Sequence, residues 1–264
     1  MTNLVEVSDA GHVRTIRLNR PEKKNALSQQ LAWGVVAAID EAAREDNVWV
    51  VALTGSGDAF CAGLDLSGAA EPFHPSPAMT AQLDDISWVG QFLLATRKRC
   101  DKPVVGGING VAVGAGLGLA MSCDVRLIAR SARLMAGYTR IGGSPDAGLT
   151  ITLPQAMGYE KAMRFMMENR TLTGEEAVAW GMADLLVPLA DVRKAAIDLA
   201  KEIAESAPLA VMSTRETMRR GFADGAEIAT ERELTEQDWT RKTEDFKEGV
   251  KSYAEKRPGN WKGR

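Results

Sequence analysis

Apolar and polar residues follow one another along the first half of the chain in a pattern that predicts alternating strands and helices. Residues 13–18 alternate between the two classes, as expected of a strand with one buried face. Ser28 is a candidate N-cap for a helix that continues to about Arg44. The continuous apolar run at 48–53 predicts a strand covered on both faces, and two further strands are predicted at 103–108, which is also apolar, and at 125–129. This order predicts an α/β fold with parallel strand pairing.

The second half of the chain is predicted to be mainly helical. Residues 173–176 form a capping box, and Gly181 is expected to end the short helix that follows. Further predicted elements are a mobile proline-containing loop at 67–80 and helices at 83–99, 191–206 and 209–221, with charged amphipathic helix over the last forty residues. The chain is therefore divided into an α/β core at 1–200 and a helical C-terminal oligomerisation region at 201–264.

Composition excludes several kinds of chemistry and suggests a compartment. The 264 residues include two histidines and three cysteines, which are too scattered for a zinc site, so no metal is expected. A Ser–His–Asp triad would have to use His12 or His74. The net charge of −3 without a basic block argues against nucleic acid as a partner. Because neither a signal peptide nor a membrane-length apolar run is visible, a cytoplasmic protein with reduced thiols is predicted.

Two of the glycine-rich segments follow apolar strands and are candidates for function. They span residues 54–66 and 109–124, and the second opens a helix. The spacing within 114–118 differs from the dinucleotide-binding pattern, and no Walker A sequence is present. One interpretation is close packing of a buried helix on a sheet. The other is that each segment offers one backbone N–H group to a developing negative charge, as in an oxyanion hole.

The ordered set of motifs resembles the crotonase (enoyl-CoA hydratase/isomerase) superfamily. The resemblance rests on Phe60–Leu66 (FCAGLDL), Asn109–Gly116 (NGVAVGAG) and Cys123-Asp124, and it extends over essentially the whole chain. It implies an α/β fold built as a spiral of ββα units, with a helical C-terminal region that forms a homotrimer or a dimer of trimers. It also implies an acyl-CoA thioester substrate in fatty acid metabolism, with coenzyme A present only as part of that substrate and no further cofactor.

The resemblance also implies which residues form the site. The backbone amides of Leu64 and Ala115 are expected to bind the thioester oxygen. Tyr253 and Lys256 match C-terminal positions that reach the coenzyme A of a neighbouring subunit. The positions expected to contact substrate are Lys24, Ala26, Ala62, Asp65, Leu66, Gly114, Tyr138, Tyr253 and Lys256. For Asp65 a structural role, bracing the first glycine segment, is the favoured interpretation.

The catalytic residues that the resemblance implies differ from those of the family's hydratases. Gly118 and Tyr138 stand where hydratases carry two glutamates, so ordinary hydration is not expected. Asp146 remains, and it matches the base of Δ3,Δ2-enoyl-CoA isomerases, including the ring-opening isomerase of phenylacetate breakdown. It also matches the nucleophilic aspartate of 4-chlorobenzoyl-CoA dehalogenase, whose tryptophan and histidine correspond here to Tyr138 and Gln91.

The predicted activity is therefore enoyl-CoA isomerisation by a 1,3-proton shift, with Asp146 as the base. The apolar residues around Asp146 could raise its pKa toward a useful range. Two alternatives remain. Asp146 could act as the nucleophile of a hydrolase or dehalogenase, or the chain could bind coenzyme A without catalysing a reaction.

Overall fold

A computed structural model describes residues 3–66, 88–223 and 241–260, together with residues 231, 234 and 238. The predicted loop at 67–80, His74 and the first part of the predicted helix at 83–99 lie outside these residues. The strands of the described part are β1 (Val5–Ala10), β2 (Val13–Leu18), β3 (Val50–Gly55), β4 (Ala59–Cys61), β5 (Val104–Ile108), β6 (Val111–Val113), β7 (Val125–Ala129), β8 (Arg133–Met135), β9 (Thr171–Thr173) and β10 (Leu185–Val187).

Helices connect most of these strands and form the C-terminal part. Within the described residues they are α1 (Gln29–Arg44), α2 (Gln91–Leu94), α3 (Ala115–Ser122), α4 (Leu149–Met157), α5 (Tyr159–Met167), α6 (Gly174–Ala179), α7 (Val192–Ala204), α8 (Pro208–Ala223) and α9 (Glu244–Ala254). A π-helical turn, Ala95–Arg99, continues α2, and short 3₁₀ turns occur at Pro21–Lys23 and Thr139–Ile141.

The strands form two sheets whose connections give a regular repeat. The larger sheet has the order β1-β2-β3-β5-β7-β10, in which only the β1–β2 pair is antiparallel. The smaller sheet has the order β4-β6-β8-β9. Each successive unit places one strand in the larger sheet, the next in the smaller sheet and then a helix, as in β3-β4-α2, β5-β6-α3 and β7-β8-α4. The predicted α/β fold of ββα units with parallel pairing is confirmed.

The larger sheet is covered on both faces, which explains the continuous apolar runs in its central strands. One face packs against α7, where Ala196 and Ala200 belong to one buried cluster with Val50 and Val105 of the sheet. The other face packs into the main core together with α1 and α3. All six residues of β3 are buried. Strands buried on both faces lose the polar alternation of a half-exposed strand, which is why a run without alternation predicted them.

Local sequence signals determine where several elements begin and end. The Ser28 hydroxyl accepts the N–H of Leu31, which caps α1 as predicted. Thr173 and Glu176 form the predicted capping box of α6, and Gly181 follows that helix with φ +86°. The boundary proposed between core and C-terminal region stays a prediction, and residue 200 lies inside α7. Among the described residues, none of the helices has the length and apolar character needed to cross a bilayer.

Candidate active site

Two glycine-containing segments lie against each other at the ends of β4 and β6. Gly63 follows β4 with φ +86°, and a Cβ atom at this position would lie 2.6 Å from the carbonyl oxygen of Val113. Gly114 follows β6 with φ +53°. Glycine adopts such backbone angles without strain, and at Gly63 the approach of β6 also excludes any side chain. The glycines therefore bring the two segments into contact at the C-terminal ends of the parallel strands β4 and β6.

The backbone amide of Leu64 faces away from the segment that pairs with it. Leu27 donates its N–H to the carbonyl of Gly63 (2.7 Å) and accepts the N–H of Asp65 (3.0 Å). In a parallel pairing of this kind, the residue between the two bonded positions turns its own N–H to the other side. The N–H of Leu64 is thus directed away from Leu27.

Ala115 is placed by a helix start. It is the first residue of α3, and the first N–H groups of a helix have no acceptor within the helix. They also lie at the positive end of the helix dipole, which favours negative charge in front of them. The N–H of the preceding Gly114 is bonded to the carbonyl of Met135 (3.1 Å). Ala115 therefore begins the run of amides that a negatively charged ligand would meet.

A cleft of about 450 Å³ lies beside both segments. Leu64, Ala115 and Asp146 all line it, although they come from three separate parts of the chain. The predicted substrate-contact positions that also line it are Ala26, Ala62, Asp65, Leu66, Gly114, Tyr138 and Tyr253. The fold thus gathers most of the residues that the resemblance implied around one cavity.

Asp146 is a buried carboxylate in this cleft. Its residue is 4% exposed, in the turn between the 3₁₀ segment and α4. Burial raises the pKa of Asp146 to about 6, and the rise is opposed by a hydrogen bond from the Tyr138 hydroxyl and by the positive charge of Arg241. A carboxyl group with this pKa is mostly ionised at neutral pH and retains more proton affinity than an exposed aspartate. Those are the properties required of a general base.

The described part of the cleft contains a second carboxylate, Asp65, which is engaged in an ion pair. Its Oδ2 lies 2.8 Å from Nη1 of Arg20, and its side chain is 5% exposed. Arg20 also donates to the carbonyl oxygen of Ala26 (3.0 Å). Asp65 therefore ties the glycine segment that carries Leu64 to the neighbouring loop, in agreement with the favoured structural interpretation.

The position of the first hydratase glutamate is closed by packing. A Cβ atom on Gly118 would lie 2.3 Å from the Cβ of Ala147 and 2.8 Å from its carbonyl oxygen. Ala147 itself has φ +56°, which is uncommon for a residue with a side chain. The turn that carries Asp146 thus occupies the space that a side chain at position 118 would need. A side chain at position 118 and the observed turn at Asp146 therefore exclude each other.

Two predicted coenzyme A contacts, Lys24 and Lys256, do not line the described cleft. Both are exposed, and both have left-handed backbone angles, φ +50° and +53°. The cations that do line the cleft are Lys23 and Arg140, which were not singled out from the sequence. Lys23 is the last residue of a 3₁₀ turn, and Lys24 follows it, so the two side chains point in different directions. The sequence alone does not show which of the two lysines faces the cleft. Contact of Lys24 and Lys256 with coenzyme A stays a prediction.

Tyr253 lines the cleft of its own chain, and its contact with the coenzyme A of a neighbouring subunit stays a prediction. Helix α9 packs on the 3₁₀ segment so closely that a Cβ atom on Gly249 would lie 2.5 Å from the backbone of Ile141. Val250 and Tyr253 then reach the cleft. The guanidinium of Arg140 lies 5.9 Å from the centroid of the Tyr253 ring. The C-terminal helix therefore forms one wall of the cavity in the same chain.

Two buried asparagines hold the backbone of β4, the strand that leads to Gly63. The sequence analysis did not identify this role. The side-chain amide groups of Asn25 and Asn109 both donate to the carbonyl oxygen of Ala59, at 2.9 and 3.0 Å. Asn109 also accepts the N–H of Gly55 (3.0 Å). Asparagine within or beside a glycine-rich turn is a signal that could have suggested such a role.

Thiol chemistry at the first segment is disfavoured. Burial raises the pKa of Cys61 to about 12, so its thiolate is negligible at neutral pH. Within the residues that the structure describes, no group of three or more histidine, cysteine or acidic side chains could hold a metal ion.

Comparison with known proteins assigns this arrangement to a family. Residues 9–264 match the family model described as enoyl-CoA hydratase/isomerase. The solved structure of carnitinyl-CoA hydratase from Mycobacterium avium superposes with a TM-score of 0.89 over 100% of both chains, at 29% identity.

Curated relatives carry several activities. The chain is 30% identical to 4-chlorobenzoyl coenzyme A dehalogenase-2 from an Arthrobacter species, covering 87% of this chain and 83% of the relative. It is 28% identical to 1,2-epoxyphenylacetyl-CoA isomerase from Escherichia coli, covering 96% and 95%. Further relatives, at 32–34% identity, carry enoyl-CoA hydratase names.

Proposed function

The chain belongs to the enoyl-CoA hydratase/isomerase family, and from this premise we propose that it isomerises an enoyl-CoA by a 1,3-proton shift. The main support for this proposal comes from the carboxylates that line the described cleft. Asp65 is paired with Arg20, whereas Asp146 is buried with a pKa of about 6. Hydration requires one group to activate water and another to manage the proton. Gly118 and Tyr138 supply no carboxylate for that work.

The proposed reaction needs one base and one site for negative charge. The Asp146 carboxylate removes a proton from C2 of a 3-enoyl thioester, and the electron pair moves onto the thioester oxygen. The N–H groups of Leu64 and Ala115 bind that oxygen, and each such donor is worth about 3–4 kcal/mol in the transition state. Protonated Asp146 then returns the proton to C4, which leaves the double bond between C2 and C3. The proton and electron counts balance without any co-reactant.

The first experiment measures deuterium uptake from solvent. With a 3-enoyl-CoA substrate in D₂O, the wild-type chain is expected to release a 2-enoyl product, which carries deuterium at C4 in those turnovers where the proton on Asp146 exchanges with solvent before its return. Asp146→Asn should lower kcat at least a hundredfold, because an amide cannot accept the proton. Asp46→Asn is a matched control, since Asp46 is exposed and is not among the described residues that line the cleft. Turnover within tenfold of wild type in Asp146→Asn would rule out Asp146 as the base.

The alternative is that Asp146 attacks the substrate as a nucleophile, as in a dehalogenase or hydrolase. It is supported by the likeness to the Arthrobacter dehalogenase and by the location of Asp146 in the cleft. Against it, Gln91 replaces the histidine of that enzyme, and its side-chain oxygen accepts a hydrogen bond from Arg99 (2.8 Å) away from the cleft lining. A covalent adduct seen by mass spectrometry on the Asp146 peptide would establish the alternative.

A non-catalytic coenzyme A-binding role is the third possibility. Tight binding of coenzyme A thioesters without turnover of straight, branched and aromatic acyl groups would favour it over both reactions.

We further propose that the chain forms a homotrimer or a dimer of trimers, and that it acts in the cytoplasm. Exposed apolar side chains on α8 support self-association, since Leu209 is 78% and Met218 68% exposed. Next to them, a groove of about 550 Å³ runs between α8 and the core. The three cysteines are unpaired and buried, which agrees with a reducing compartment.

A further inference from the structure

The hydroxyl group of Tyr138 is bonded to the carboxylate on which the proposed reaction depends. It donates a hydrogen bond to Oδ1 of Asp146, and the two residues are 6% and 4% exposed. A hydrogen bond between two buried groups is protected from competition by water, and one to an ionised group is stronger than one between neutral groups. The contact is therefore suited to hold the carboxylate in one orientation.

The backbone around this pair fixes the position of both side chains. The carbonyl of Tyr138 accepts the N–H groups of Ile141 (3.0 Å) and Gly143 (2.9 Å), and the carbonyl of Asp146 accepts the N–H of Leu149 (3.2 Å). The first two bonds close a turn that begins at Tyr138, and the third closes the turn that leads from Asp146 into α4. The hydroxyl of Tyr138 is consequently presented to Asp146 by a folded turn, not by a freely rotating loop.

Tyr138 also lies beside the second glycine segment. A Cβ atom on Gly114 would be 3.9 Å from the hydroxyl oxygen of Tyr138. Gly114 directly precedes Ala115, whose amide is one of the two proposed donors. The hydroxyl thus lies between the carboxylate and the segment that would bind the thioester oxygen.

We propose that Tyr138 is a positioning residue, whose hydroxyl orients the Asp146 carboxylate and keeps it ionised for removal of the substrate proton. This inference rests on the proposed function of Asp146 as the base. It assigns to Tyr138 a role through Asp146, beside the substrate contact that was expected of this residue.

Other charged groups near Asp146 act on it differently. Arg241 lowers the pKa of Asp146 through its charge, and Arg241 is exposed. Lys23, Arg140 and Asp65 also line the described cleft, and Asp65 is paired with Arg20. Salt screens an exposed charge such as Arg241 but leaves a buried hydrogen bond largely unchanged. Measurements at high ionic strength therefore isolate the contribution of Tyr138.

The test is the pH dependence of kcat/KM for Tyr138→Phe, measured between pH 5 and 8.5 at high salt. Without the hydroxyl, the ionised carboxylate loses a hydrogen bond, so the acidic limb should move to higher pH by about one unit. The deficit relative to wild type should be about tenfold on that limb and smaller above pH 8, with little change in KM. Tyr159→Phe is the matched control, because Tyr159 is 68% exposed and lies outside the cleft lining.

A second measurement does not depend on turnover. ¹³C NMR titration of aspartate carboxyl groups in the full chain, with the Asp146 signal assigned by its absence in Asp146→Asn, reports the ionisation directly. If Tyr138→Phe folds poorly, 3-fluorotyrosine incorporation is the substitute, because the more acidic phenol should shift the Asp146 titration to lower pH.

An unchanged titration of Asp146, or a raised KM without movement of the pH limb, would overturn the positioning role while leaving Asp146 as the base. Full activity of Asp146→Asn would instead overturn the proposed function. The two failures are thus distinguishable.

Discussion

At the scale of single residues, the burial that prepares Asp146 for proton transfer opposes folding at neutral pH. The pKa of Asp146 is about 6 in the folded chain and 3.8 in an unperturbed aspartate. Between these values the folded state binds more protons than the unfolded state, so stability falls as pH rises from about 4 to about 6 and remains lower above. A difference of this size corresponds to about 3 kcal/mol as an upper limit.

Asp146→Asn should therefore stabilise the protein while it removes activity. The amide is uncharged and keeps an oxygen that can accept from Tyr138. We expect the free energy of unfolding, measured in urea, to rise by about 1–3 kcal/mol at pH 7.5 and to change little at pH 4, where the wild-type carboxyl is already protonated. Asp46→Asn, at an exposed site, should show no such pH-dependent gain. A gain of equal size at both pH values would contradict burial as the cause of the raised pKa.

The residues of the site differ in how far the sequence could predict them. Asp146, Leu64 and Ala115 occupy recognisable motifs, and the structure places all three at one cleft. The contact between Tyr138 and Asp146 was not predicted, because it depends on how the turn between them folds. The same holds for Gly118, whose closeness to Ala147 joins two parts of the chain far apart in sequence.

At the scale of elements, strands were predicted correctly where alternation or an apolar run extends over five or six residues. Strands that are too short or too exposed to show such a pattern were missed. Residues 13–18 were predicted to the residue because a full strand alternates there. β1 was missed because, as an edge strand, it leaves four of its six residues exposed and so shows little hydrophobic pattern. The smaller sheet was missed because its strands are three residues long, too short for a period to appear.

Helix α9 depends on a contact that only glycine permits. A Cβ atom on Gly249 would lie 2.5 Å from the backbone of Ile141, and backbone cannot move aside as a flexible side chain can. Gly249→Ala gains about 1 kcal/mol in helix propensity. The clash costs about 1–3 kcal/mol and should prevail, so that α9 moves away from the 3₁₀ segment.

Because Val250 and Tyr253 line the cleft, this displacement should weaken substrate binding more than it slows chemistry. We expect Gly249→Ala to raise KM for the acyl-CoA severalfold with a smaller change in kcat. Lys251→Ala also introduces an alanine into α9, but at an exposed position outside the described cleft lining, and it should behave as wild type. An unchanged KM in Gly249→Ala would show that α9 does not contribute to the binding wall.

At the scale of the whole molecule, the base and both amide donors of the proposed reaction come from one chain. Helix α9 supplies residues to the cavity of its own chain, and the glycine segments and Asp146 come from the core of that chain. A neighbouring copy is therefore not expected to supply the base or an amide donor. Assembly and catalysis should then be separable by mutation.

Leu209→Asp tests this separation. Leu209 is 78% exposed in the first turn of α8, where an acidic residue agrees with the helix dipole and should not disturb the helix. If α8 forms the interface between copies, the new charge should shift the chain from trimer to monomer in sedimentation velocity, with kcat within about threefold of wild type because the base and amide donors are untouched. Tyr159→Asp is the matched control, since it places the same charge in the first turn of α5 at another exposed apolar residue. A trimer that survives Leu209→Asp would exclude α8 as the interface, and a monomer without activity would show that the cleft depends on its neighbours.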